Sequence, residues 1–346
     1  MRILITGGCG FIGSELVRRL VHEGHDVLNL DAMTYAGDER SVAGAAASAN
    51  YQFRKIDIAD ADAVATAFAD FNPNRVFHLA AESHVDRSID GPGIFVKTNL
   101  VGTSVMLDAA LAHWRNLDEL ARASFRFIHV STDEVYGTLG NDDPAFTEDT
   151  PYAPNSPYAA SKAGADHLAR AWVETYGLPV IITNCSNNYG PFQHPEKLIP
   201  TVIRTALSGG DIPVYGKGEN IRDWLYVADH VGGLIAAAET GEIGRKYNFG
   251  GDAERTNLDL VRTLCRLLDE RRPSSKPLED QIRFVTDRPG HDLRYAVNSQ
   301  RAQGELGWRP SVTLDSGLSE TVDWYLAHPE WLSRDPAEIA RLGLGK

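Results

Sequence analysis

Only three cysteines, Cys9, Cys185 and Cys265, occur in 346 residues, and no two stand in a CxxC spacing. That argues against a disulfide framework or a zinc site and suits a reducing cytoplasm. Positive charge is also scarce: 34 Lys and Arg face 47 Asp and Glu, for a net charge of −13 with no dense basic block. Nucleic acid is therefore not an expected partner. No apolar run approaches the roughly 20 residues that span a bilayer, so no membrane is expected either. The chain opens MRILITGG, a strand and a turn, which leaves no room for a signal peptide. There is no internal repeat. The one oddity, SVAGAAASAN at 41–50, reads as a surface loop or a helix end.

What is present is ordinary globular composition, 43% hydrophobic and 23% charged, in a chain long enough for a main domain and a smaller companion. The first half alternates two patterns. Strands are expected at 2–6, 26–30, 51–57, 75–80, 126–131 and 179–184, with helical stretches such as 11–24 and 60–71 between them. Short apolar strands alternating with helices predict α/β architecture, a Rossmann-type doubly wound parallel sheet covered on both faces. After about residue 184, Pro and Gly cluster, and helical patterns return at 257–270 and 314–328. This predicts a main domain over 1–183 plus about 222–248. A smaller α/β substrate-binding domain follows over about 184–221 and 249–332, with a tail at 333–346.

GGCGFIG at 7–13 follows the first strand and opens the first helix, placing Gly7, Gly10 and Gly13 in a GxxGxxG spacing. Such a loop makes a tight turn, lets backbone approach a pyrophosphate and packs helix closely on strand. The second strand ends in Asp31, eighteen residues after Gly13. A carboxylate there accepts from ribose hydroxyls and repels a 2′-phosphate, which favours NAD over NADP. Asp57 ends the third strand similarly; it either contacts the adenine or caps the helix that follows.

Tyr158 and Lys162 stand four apart on one helical face of PNSPYAASKAGADHLARAW. The pair is either plain packing with a solvated charge, or a phenol whose pKa the lysine lowers until it serves as a base. Abstracting a proton from a secondary alcohol while NAD takes a hydride is dehydrogenation chemistry. Thr132, Asp133 and Glu134 leave the strand FRFIHVS together. Two adjacent carboxylates disfavour double ionisation, so one keeps a proton, and an acid with a base is what β-elimination of water needs. The bland alternative is a solvated loop cap.

The glycine loop, HLAAESHVDRSIDGP (78–92) and YxxxK resemble the extended short-chain dehydrogenase/reductase superfamily. DAMTYAG (31–37), VSTDEVYG (130–137), CSNNYGPFQHPEKLIP (185–200), IPVYGKGENIRDWLYVADH (212–230) and DRPGHDLRYAV (287–297) narrow the resemblance to its dTDP-glucose 4,6-dehydratases. The resemblance implies an internal redox cycle. Tyr158 takes the proton of the sugar's C4 hydroxyl while NAD takes the hydride, with Thr132 bonded to the C4 oxygen. Glu134 then removes the acidified C5 proton, Asp133 protonates the departing C6 hydroxyl, and the hydride returns to C6. It further implies that Phe11, Ile12, Thr34, Ile58, Leu79, Ala80, Ala81, Thr98 and Ser131 join the glycines, Asp31, Asp57, Tyr158 and Lys162 around NAD.

For the nucleotide sugar, dTDP-glucose, the resemblance implies His84, Asn187, Lys197, Leu198, Pro213, Tyr215, Asn257 and His291. Arg222 and Arg288 are also diphosphate candidates by chemistry, because guanidinium forks match phosphate oxygens. Alternatives stay open: Arg222 and Asp223 as a surface ion pair, Tyr215 as a core aromatic, Asn257 as a helix N-cap. Asp287, His291 and Asp292 superficially suggest metal, but no second histidine completes a site, and none is expected. Asn298 stands where the family more often has aspartate, a change expected to loosen a surface turn. A homodimer is implied through the Tyr–Lys helix and the apolar stretch 99–114, as is a deoxysugar product such as a rhamnose precursor. Rival readings are a 4-epimerase, which needs no acid pair at 133–134, another nucleotide-hexose 4,6-dehydratase, and a silent NAD-binding scaffold.

Overall fold

The computed structural model describes residues 1–273, 275–287 and 290–332; Arg288 and the tail at 333–346 lie outside them. Seven parallel strands form the main sheet: β1 Arg2–Thr6, β2 Asp26–Asp31, β3 Tyr51–Lys55, β4 Arg75–His78, β5 Arg126–Thr132, β6 Val180–Cys185 and β10 Lys246–Phe249. Their order, β10-β6-β5-β4-β1-β2-β3, reverses direction between β1 and β4. A doubly wound sheet opens a crevice at that point, outside the strand ends. The strands read as unbroken apolar runs because both faces are covered. Ile3 and Ile5 pack with Leu16, Val231 and Leu234 on one face. Leu4 and Leu28 pack with Val64, Phe68 and Leu107 on the other.

The second region carries its own core. β7 Asn187–Tyr189, β9 Ile221–Tyr226 and β11 Glu254–Thr256 form a small sheet, and β8 Ile212–Tyr215 pairs with β12 Ile282–Val285. Helices Leu198–Ser208, Asn257–Arg271 and Leu314–Ala327 close around Tyr189, Ile203, Leu264, Leu318 and Tyr325. The chain enters this region directly after β6 and, for its later part, directly after β10.

Of the two readings of 41–50, the helical one holds: a 3₁₀ turn and the short helix Ala43–Ala46 bury Val42 and Ala45. Pro92–Asn116 runs as 25 helical residues with an 18-residue window of mean hydropathy 1.3, long and apolar enough by length and composition to cross a membrane. Its inner side packs instead on the Ala61–Phe71 and Pro157–Tyr176 helices. Asn298 Oδ1 accepts from the Gln300 N–H at 2.8 Å.

Candidate active site

The glycine loop meets β4 at the switch point. Gly7 has φ +72°, and a Cβ there would lie 2.8 Å from the Ala80 backbone. A Cβ on Gly13 would lie 2.1 Å from the Gly7 carbonyl oxygen, so only glycine lets the helix start this close to the loop. Gly13→Ala is expected to cost about 1–3 kcal/mol by overpacking and to weaken dinucleotide binding, read by thermal unfolding and by cofactor content. Asp31 accepts from the Cys9 N–H at 2.9 Å and the Met33 N–H at 2.8 Å. Each oxygen thereby keeps a further lone pair for a ribose hydroxyl. Burial raises its pKa and the two backbone bonds lower it. Asp57 is not a cap: Asp60 caps the next helix, while Asp57 accepts from Lys97 Nζ at 2.9 Å.

One cavity of about 370 Å³ lies along this crevice, and every residue expected to hold the dinucleotide lines it, as do Thr132, Asp133 and Glu134. β5 ends at Thr132 and turns into a 3₁₀ segment, Asp133–Tyr136, closed by Gly137 at φ +96°. Thr132 Oγ1 donates to Asp133 Oδ1 at 3.3 Å and accepts from the Glu134 N–H at 3.3 Å. Asp133 is 2% exposed, and its Oδ2 has no hydrogen-bond partner. Burial, then Glu134 and Asp223, push its pKa well above the carboxylate range, with Arg222 and Thr132 opposing. A bare carboxylate here would be costly, so the group holds a proton.

Tyr158 and Lys162 lie in the Pro157–Tyr176 helix, whose Ser156 cap accepts from the Ala159 N–H. The expected lowering of the phenol pKa is not found. Burial and then Glu134 raise it well above its ordinary value. The physical reason lies in Lys162: its Nζ donates to the Val130 carbonyl at 2.8 Å, and burial lowers its own pKa against the pull of Asp166. Asp166 is the anchor beneath both, bonded to His129 at 3.0 Å and accepting from Ser131 and Tyr152 at 2.8 Å each. Asn184 donates to the Thr132 carbonyl at 3.0 Å, so β5 and β6 together fix the turn that carries the acids.

The family model for GDP-mannose 4,6 dehydratase matches residues 4–321. The dTDP-glucose 4,6-dehydratase 1 of Escherichia coli is 53% identical over 341 residues, covering 96% of this chain and 94% of that protein. The chain belongs to the dTDP-glucose 4,6-dehydratase family. A crystal structure of the dTDP-glucose 4,6-dehydratase from Streptomyces venezuelae with NAD bound is 43% identical, with TM-score 0.88 over 96% of this chain and 98% of that one. A Thermotoga maritima UDP-glucose 4-epimerase reaches TM-score 0.83 at only 28% identity, covering 95% and 100%. Backbone shape thus barely separates this dehydratase from an epimerase.

The residues expected on the sugar side divide into two groups. Asn187 and Lys197 line the cavity with the acids. His84, Leu198, Pro213, Tyr215, Arg222, Asn257 and His291 do not. Of these, Tyr215 donates to Asp86 at 3.3 Å and His291 bonds Asp287 at 2.6 Å, with the Tyr215 and His291 rings edge to face at 6.0 Å. Arg222 and Asp223 are no surface pair, being 5% and 1% exposed. Arg222 donates to the Asp292 carbonyl at 3.0 Å and lies over the Tyr295 ring. Asp223 accepts from the Gly251 and Ala253 N–H groups. Asn257 is no cap either, since Thr256 fills that role, and its buried Oδ1 has no partner. Among the described residues, no group of three His, Cys, Asp or Glu could hold a metal ion. Sequence reasoning missed Asn188, Gln193, His194 and Glu196, which also line the cavity. They sit inside the quoted CSNNYGPFQHPEKLIP stretch, where only Asn187, Lys197 and Leu198 had been singled out.

Proposed function

We infer that this chain converts dTDP-glucose to dTDP-4-keto-6-deoxyglucose and water as an NAD-dependent hydro-lyase. The observation that carries this reading is the buried Asp133 with an unpartnered oxygen, beside the partly exposed Glu134, in a cavity shared with Tyr158. The crevice fits NAD by its glycine cradle and by the acceptors left on Asp31. NAD, when bound, supplies a hydride acceptor at C4 and a donor at C6. Tyr158 receives the proton of the C4 hydroxyl, with Thr132 bonding the C4 oxygen as charge develops. Lys162 supplies positive charge behind the phenol. Glu134 takes the C5 proton once C4 is a ketone, and Asp133 delivers its proton to the departing C6 hydroxyl. An epimerase has no use for this second pair.

His84, Asn187, Lys197, Leu198, Pro213, Tyr215, Arg222, Asn257, His291 and, outside the described residues, Arg288 are proposed to hold the nucleotide. Residues 1–183 and about 222–248 would carry the dinucleotide, and the remainder the nucleotide sugar. A cytoplasmic homodimer belongs to the same reading. It is supported by Ile94, Val96 and Val101, each 47–49% exposed on the Pro92–Asn116 helix. The test is incubation of purified protein with dTDP-glucose in deuterated water, without added cofactor. Loss of water with one deuterium gained at C5 is the expected result. Retained mass with inverted C4 would establish epimerisation instead.

A further inference from the structure

Glu196 takes no part in the chemistry above, yet its surroundings are unusual. It lies in the segment joining β7 to the Leu198–Ser208 helix and is only 5% exposed. Its carboxylate stands 3.5 Å from His84 Nε2, 3.7 Å from His194 Nδ1 and 3.9 Å from Arg87 Nε. Burial raises its pKa, and the nearby Tyr35 phenol is among the groups that oppose the rise. These partners come from separate places in the chain: Tyr35 from the loop after β2, His84 and Arg87 from the segment after β4. The Arg87 guanidinium lies 3.9 Å over the Tyr35 ring, and the His194 ring packs edge-on to it at 5.6 Å. Lys197 adds a fourth tie, donating to the Ser83 carbonyl at 3.2 Å.

The same three segments line the dinucleotide cavity, through Thr34 and Ala36, through Glu82 and Ser83, and through His194 and Glu196, together with the glycine loop. A ligand leaving past the three segments must part them, and Glu196 is the group that all of them meet. A buried carboxylate tolerates this position only while its partners stay together.

We propose that Glu196 fastens a three-segment clasp over the cofactor crevice and thereby sets how slowly NAD leaves. This rests on the proposed internal redox cycle, in which a cofactor lost between the two hydride steps would strand a ketone. Retention is then part of the catalytic task, and the clasp is a positioning device outside the reacting groups. Breaking such a contact acts chiefly on dissociation.

The test compares wild type with Glu196→Gln and with Tyr35→Phe, the latter removing one hydroxyl from the clasp. NAD carried through gel filtration is quantified after acid release. The rate of loss is then followed by diluting each protein into an NAD-destroying glycohydrolase. Both variants are expected to lose NAD at least about tenfold faster, and to need added NAD for dehydration of dTDP-glucose, with most turnover returning at saturating NAD. Should Glu196→Gln fail to fold, Tyr35→Phe decides. Release at the wild-type rate from the folded variants overturns the clasp. A wild type that holds NAD but never dehydrates dTDP-glucose would overturn the functional reading, while the release rates still judge the clasp.

Discussion

Asp133→Asn is expected to slow the loss of water by about 10²–10⁴-fold, the usual worth of a positioned general acid. Oxidation at C4 and removal of the C5 proton involve other side chains, so both should continue. In deuterated water the variant is expected to return dTDP-glucose that carries deuterium at C5 but has kept its C6 hydroxyl. Mass spectrometry separates the two events, because exchange adds one mass unit and elimination removes eighteen (both from atomic masses, to about unit precision). The pH dependence follows from the direction of the shift. Burial and Glu134 hold the Asp133 carboxyl protonated well above the ordinary carboxylate range. The contribution of Asp133 to elimination should therefore be full at low and neutral pH and be lost as pH rises through that raised value, a falling limb absent in the Asn variant. Undiminished water loss by Asp133→Asn would remove Asp133 from the mechanism.

Tyr158→Phe is expected to abolish both events together, again by about 10²–10⁴-fold. The C5 proton has no acidity until C4 is a ketone, so blocking the first proton transfer silences Glu134 as well. NAD content should stay near wild type, because the ring, buried to 9% exposure and packed edge-on to Phe95, keeps its place without the hydroxyl. The phenol's raised pKa adds a pH signature: the wild-type rate should climb with pH on its acid side as more of Tyr158 becomes the base. C5 exchange at the wild-type rate in the Phe variant would assign the first proton transfer to another group.

How much of this was legible beforehand depended on whether the deciding contacts were local. Six sheet strands announced themselves as apolar runs because both faces of the sheet are covered. The seventh, β10, did not. Lys246 and Asn248 interrupt its four residues, and its burial rests on distant partners: Asn248 accepts from Tyr136 and donates its N–H to Glu148. Asp31 could be placed from spacing alone, since it ends a strand one helix after the glycine loop. The pKa of Tyr158 could not. Helical spacing puts Lys162 on the same face but does not say that its ammonium goes to the Val130 carbonyl. Asn257 and Asp57 looked like caps because each precedes a helix, and a neighbour of equal capping chemistry, Thr256 or Asp60, took the position. Glu196 was invisible for the plainest reason: its partners at 35, 84 and 87 are over a hundred residues away.

The 3₁₀ turn after β5 has a further consequence. At about three residues per turn, neighbouring side chains point roughly 120° apart. Consecutive residues on such a turn therefore look into different surroundings: both acids line the cavity, but Asp133 is almost wholly buried while Glu134 is partly exposed. Two groups that are inseparable in the gene are thus separable in environment. Changes to the wall behind Asp133, at Asp223 or Arg222, can retune how firmly the acid holds its proton without displacing the base. The strength of the acid is thus set from behind the turn as well as by the base beside it, which itself raises the Asp133 pKa.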